Sequence, residues 1–124
     1  MFLLDTNIFV YLSDGTLQRS LVQDIDIAYA SITKIEALGY NEITAAEQDY
    51  LAQLFNECQQ YDLSETIIEL AIKLRLRKKM SLGDAIIAAT ALVYGLELWT
   101  ANTKDFAGIE GLKLHNPLPK GAKT

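Results

Sequence analysis

Short apolar runs alternate along this chain with segments of helical period, and that alternation leaves few architectures open. Phe2 to Leu4 is an apolar run halted by Asp5, and Ile25 to Ala30, Gln60 to Leu63, Glu97 to Thr100 and Lys113 to His115 read as further strands. Between them lie Thr6 to Leu12, a short helix at Leu17 to Gln23 beyond the break at Gly15, and ITKIEALGY after an expected N-cap at Ser31. Thr44 and Glu47 form a T-x-x-E capping box that opens a helix through Leu51, Leu54, Phe55 and Cys58. Ser64 to Lys79 carries Ile67, Ile68, Ala71, Ile72 and Leu74 at helical spacing, so it should be amphipathic. Leu82 to Tyr94 is apolar nearly all round, which demands burial, and Gly95 closes it. Such alternation predicts an α/β fold: an open, mostly parallel sheet of four to five strands with helices on both faces.

The 124 residues, half of them hydrophobic, suffice for one domain with a real core and are too few for two. A single domain over 1–124 is expected, with a loose Pro-, Gly- and Lys-rich tail from about 117 to 124. The lone Cys58 leaves no disulfide framework and no Cys-rich zinc site. The opening MFLLDTN has no basic n-region, and no apolar run approaches the roughly 20 residues of a membrane-spanning helix. A cytoplasmic protein without membrane attachment is expected.

A formal net charge of -5 has the wrong sign for gripping a phosphate backbone by basic surface alone. Two features could offset it: bound divalent cations, and the run Arg75, Arg77, Lys78, Lys79. The default for that run is a solvated helix end favoured by the macrodipole.

In open parallel sheets, ligands bind beyond the carboxyl ends of the strands. Applied to the sixteen acidic residues, that rule singles out Asp5, Glu36, Asp84 and Asp105, each just past a strand or at the start of a helix. Each also has a local explanation. Asp5 can cap the following helix, Asp84 can complete a box with Ser81, Asp105 can pair with Asn102 in the same way, and Glu36 can face solvent. Together they favour a metal. Two carboxylates about 4 Å apart repel by roughly 4 kcal/mol at an effective dielectric near 20, and a divalent cation removes that cost. All-oxygen ligation, with His115 more a strand-end residue than a ligand, favours Mg²⁺ or Mn²⁺ over zinc. Such a metal lowers the pKa of a water and draws charge from phosphoryl oxygens, which suits phosphodiester hydrolysis.

Four segments resemble the PIN domains, and among them the small VapC-type toxin ribonucleases of toxin–antitoxin pairs. LLDTNIFVYL (Leu3 to Leu12), SITKIEALGY, LGDAIIAATAL and LWTANTKDF (Leu98 to Phe106) resemble the family's acidic motifs in the family's order, over nearly the whole chain. The resemblance implies Asp5 and Asp105 as direct metal ligands, with Asp84 and Glu36 as ligands or as groups holding metal waters. It also implies Thr6 and Asn7 lining the site, and Thr100 and Asn102 as a polar pair beside the last acid. It further implies cleavage of single-stranded or loop regions of RNA, a homodimer, and a small antitoxin partner over the acidic groove. Tyr40, Tyr50, Leu54 and Phe55 offer a surface for dimer or antitoxin, or form ordinary core.

Two rival readings remain open. A phosphoaspartyl phosphatase or receiver also places an Asp at a strand end. The phosphatase, however, wants a second Asp where Asn7 stands, and the receiver wants an acidic pair upstream of Asp5. A catalytically silent PIN-like binding module is the other.

Overall fold

The computed structural model describes residues 1–119. Its strands are β1 (Phe2–Leu4), β2 (Ile27–Ala30), β3 (Gln59–Tyr61), β4 (Glu97–Trp99) and β5 (Leu114–His115). They form one sheet in the order β3-β2-β1-β4-β5, and every neighbouring pair is parallel. Around it stand α1 (Thr6–Asp14), α2 (Ser31–Leu38), α3 (Ala45–Glu57), α4 (Glu65–Arg77), α5 (Leu82–Tyr94) and α6 (Thr103–Phe106). The α/β architecture expected from the alternation is therefore the one found.

Strand pleating sorts the core into two layers, because successive side chains point to opposite faces. Leu3, Ala28, Ala30 and Leu98 pack on one face with Ile67 and Ala71 of α4 and the apolar body of α5. Leu4, Ile27, Tyr29 and Trp99 pack on the other, against Ile8, Phe9 and Leu12 of α1, Ala37 of α2, and Leu51 and Phe55 of α3. Phe55 packs at a tilt against Phe9 and Tyr29, with ring centroids 4.7 and 4.6 Å away. It is core, as is most of the Tyr50 and Leu54 surface, whereas Tyr40 is 47% exposed.

Several boundaries differ from the sequence reading for local reasons. The helix expected at Leu17 to Gln23 is a single 3-10 turn, Arg19–Val22, held down where the Arg19 guanidinium donates to the Leu12 and Ser13 carbonyls at 3.1 Å each. Ser31 is the first residue of α2, not its cap; β2 runs directly into the helix, so the cap falls on Ala30, which has no side chain to serve it. β3 ends at Tyr61, earlier than expected, because its partner β2 ends at the paired Ala30. The tail also differs at Leu118, which is buried among the α1–α3 side of the core. Residues 120–124 lie outside the described residues.

Candidate active site

The sheet order places β1 at the centre with β2 and β4 on either side, so the chain reverses its direction of winding between β1 and β4. Adjacent helices leave on opposite faces at such a switch point, which opens a crevice at the carboxyl strand ends. Asp5 follows β1 there, and its backbone N–H still donates to the Trp99 carbonyl of β4 at 3.0 Å. Its side chain caps α1, accepting from the Ile8 N–H at 3.1 Å. One carboxylate thus both caps α1 and lines the crevice.

A cavity of about 130 Å³ opens at this point, lined by Asp5, Thr6, Asn7, Glu36, Asp84 and Asn102 among others. Three of the four singled-out acids therefore share one hollow, delivered by the end of β1, by α2 and by the first turn of α5. Asp105 lines the adjoining hollow with Asn102, Lys104 and Asn116. Its charge still acts on Asp84. Asn102 stands between the two hollows.

Only one bond of the expected Ser81–Asp84 box forms among the described residues, the Asp84 N–H donating to Ser81 Oγ at 3.1 Å. In α3, by contrast, Thr44 and Glu47 close both bonds of theirs. Asn102 sits at the N-cap of α6 without a side-chain bond, so Asp105 is tied to it only through backbone, at 3.0 Å.

The electrostatics fit a site short of positive charge. Burial, opposed by the Thr100 hydroxyl and the Ile8 amide and reinforced by Asp84, pushes the Asp5 carboxyl up to about 6. Burial raises Asp84 too, with Asp105 and Glu36 adding to the effect. Thr100 is fully buried, and its Oγ1 accepts from the Asn102 N–H at 3.0 Å, which ties the loop after β4 to the site.

Thr33 and Gly83 belong to the site although nothing in the linear pattern singled them out. Thr6 Oγ1 donates to Glu36 Oε1 at 2.7 Å and lies 3.2 Å from Thr33 Oγ1. A hydroxyl has one proton, so with Thr6 donating to Glu36, Thr33 is left to donate to Thr6. Thr33 is fully buried on the same face of α2 as Glu36, one turn earlier, and that spacing was the available signal. At Gly83 a Cβ would lie 2.9 Å from Glu36 Oε2, so the glycine lets α5 approach the Glu36 carboxylate.

Among the described residues no three His, Cys, Asp or Glu side chains gather tightly enough to enclose a metal. Zinc, which wants a closed protein cage or His and Cys donors, does not suit this arrangement. His115 stands apart, exposed on β5 with its ring 5.1 Å from that of Trp99. A hard cation that keeps several waters and uses one or two carboxylates does suit it, and the cavity has room for those waters.

The sequence profile of the PIN domain matches residues 2–112. The chain belongs to the PIN domain family. That match removes the phosphoaspartyl rival, whose domains are a different family. Over 94% of this PIN domain and 98% of the other chain, it is 33% identical to a chain of a toxin–antitoxin complex from Klebsiella pneumoniae, with a TM-score of 0.78. Chains of a promoter-DNA-bound VapBC2 from Rickettsia felis (24% identity, 93% and 97% coverage, TM-score 0.77) and of DNA-bound VapBC from Salmonella typhimurium (21%, 92% and 96%, 0.76) share the fold. No curated protein matches the sequence. No helix among the described residues is long and apolar enough to cross a membrane.

Proposed function

We propose that this PIN domain is a divalent-metal-dependent endoribonuclease, the toxin of a toxin–antitoxin pair, cutting single-stranded or loop regions of RNA. The observation that carries this reading is one cavity at the sheet's switch point, shared by the carboxylates of Asp5, Glu36 and Asp84, with Asp105 alongside. A cytoplasmic setting follows from an RNA substrate.

Asp5 and Asp105 are the groups that would hold Mg²⁺ or Mn²⁺, with Asp84 and Glu36 either joining them or holding its waters. When bound, a divalent cation neutralises phosphoryl charge and lowers the pKa of a water. Everything else falls to this chain. Thr100 steadies Asp5, and Thr6, backed by Thr33, holds Glu36 by Oε1. Asn7, exposed at the start of α1, presents an amide that can donate to a phosphoryl oxygen, where the helix N-terminus also favours negative charge. Asn102, which lines the same cavity, offers a second amide. Water adds across one P–O bond, leaving a phosphomonoester and a free ribose hydroxyl.

The antitoxin reading is supported by a groove of about 520 Å³ that shares Thr6, Asn7 and Glu36 with the catalytic cavity. Its acids are each held by one oxygen: Asp14 by the Thr16 N–H, Glu36 by Thr6, Glu42 by the Tyr40 hydroxyl and Glu47 by the Thr44 N–H. Oriented carboxylates over an apolar floor of Val10, Ile43 and Leu51 suit a basic, amphipathic segment of an antitoxin. A homodimer is the assembly that the family resemblance implies.

The decisive experiment is induced expression of wild type and Asp5→Asn in a bacterial host, with 5′-end mapping of cellular RNA. Growth arrest with new discrete ends in the wild type alone is the expected result. Tight RNA binding without metal-dependent cleavage, unaffected by Asp5→Asn, would favour the silent binding module instead.

A further inference from the structure

Positive charge is unevenly placed on this acidic protein. Of its eleven lysines and arginines, four, Arg75, Arg77, Lys78 and Lys79, lie at the end of α4 and just past it, and Lys78 touches a fifth, Lys104. α4 ends at Arg77, Lys78 follows in extended backbone, and Lys78 Nζ reaches the Lys104 carbonyl at 3.5 Å. Lys104 is on α6, one residue before Asp105. The contact joins the end of α4 to the short helix that bears the fourth carboxylate.

Arg75 Nε donates to the Met80 carbonyl at 3.4 Å. Its bond and that of Lys78 thus go to neutral carbonyls, and the acids nearby are Glu110, in one hollow with Arg77 and Lys78, and Asp105, in one with Lys104. Arg75, Arg77, Lys79 and Lys104 are exposed and Lys78 is half-buried. A helix dipole favours cations only within its last turn, so it accounts for Arg75 and Arg77 but not for Lys79 and Lys104, which lie outside α4.

We propose that this strip is where the RNA backbone lies as it enters the catalytic cavity, with the five cations contacting phosphates. The inference rests on the nuclease reading above. A carboxylate-lined cavity and a net charge of -5 both repel a polyanion, so affinity beyond what a metal in the cavity supplies calls for a local concentration of basic side chains. Screening over about 8 Å at physiological ionic strength lets such a patch act without the distant acids cancelling it. The other flank of the cavity carries Asp14, Glu36, Glu42 and Glu47, which disfavour a phosphate backbone. The two flanks therefore have opposite sign, and the strand approaches from the α4–α6 side.

The test is equilibrium binding of a short single-stranded oligoribonucleotide to the full chain in EDTA, where binding is read without cleavage, over a series of KCl concentrations. Arg77→Gln with Lys79→Gln, and Lys104→Gln alone, are compared with Lys113→Gln, an exposed cation at the opposite end of the sheet. Each lost phosphate contact should flatten the plot of log K against log salt by about 0.7, hence by roughly 1.4 for the double variant, while Lys113→Gln keeps the wild-type slope. Wild-type slopes in the strip variants overturn the proposal. So does an equal loss in Lys113→Gln, which would mean general charge, or binding of duplex DNA but not of RNA through the same residues. A separate cleavage assay with Mn²⁺ keeps the two readings apart. Cleavage with unaltered slopes removes the strip and leaves the nuclease, whereas strip-dependent binding without cleavage removes the nuclease.

Discussion

Asp5 accepts the Ile8 amide at the head of α1 while burial and Asp84 push its carboxyl up to about 6, so its ionised form is useful to the site and costly to the fold. Because the folded value lies above the ordinary 3.8, the native state holds its proton more tightly than the unfolded chain. The contribution of Asp5 to stability is then fullest below about pH 4 and is lost as pH rises through about 6. In EDTA at pH 7.5, Asp5→Asn should be more stable than wild type by up to about 3 kcal/mol, since about two pH units are involved and Asn still caps. The gain should fade towards pH 4 in urea or thermal melts; a constant gain, or a loss at every pH, would contradict the burial argument. Cleavage by the same variant should drop by at least about a hundredfold, beyond the loss typical of groups that only support a metal ligand. Thr6→Val removes the donor on Glu36 Oε1 and should cost roughly tenfold in kcat with KM little changed. Rescue by Thr6→Ser would show that the hydroxyl, not the shape, is responsible.

At the scale of elements, α5 joins two demands in one segment. Its apolar body buries against the sheet, and its first turn must pass close to α2 with Asp84 facing the cavity. Gly83 permits the approach. In Gly83→Ala the new methyl group would meet only the far end of Glu36, so the side chain swings aside and the fold survives. Helix propensity should even raise stability by up to about 1 kcal/mol, while cleavage falls roughly tenfold. A variant that unfolds, or one that cuts RNA at the wild-type rate, would show that the contact between α5 and Glu36 is not the functional constraint.

Across the whole molecule the sheet order, the acidic cavity and the basic strip amount to one charge distribution. Divalent cation should raise the melting temperature of the wild type, because the folded state gathers carboxylates that the unfolded chain keeps apart. At ten times the dissociation constant the gain should be about 1.4 kcal/mol for one site. Asp5→Asn should shift this titration to higher concentration, read by melting alone and independently of activity. No stabilisation by Mg²⁺ or Mn²⁺ up to millimolar concentration would count against the metal reading.

Local chemistry along the chain was enough for most of the architecture, because strand and helix periods, the Thr44–Glu47 box and the stops at Gly15 and Gly95 act over a few residues. The four acids could likewise be singled out along the chain, Asp5 and Asp105 after strands and Glu36 and Asp84 early in helices. Where one element's limit depends on its neighbour, the linear pattern could not supply it. β3 stops where β2 stops, and the cap of α2 falls on Ala30 because β2 runs straight into the helix. Which carboxylates share a cavity was decided only by the strand order. It sets Asp5 beside the end of β4 and brings α2 and α5 over it, leaving Asp105 in the next hollow. Thr33 and Gly83 stayed hidden for the same reason. The spacing of Thr33 from Glu36 is a weak local mark, and the roles of both residues exist only once Thr6, Glu36 and α5 are in contact across distant parts of the chain.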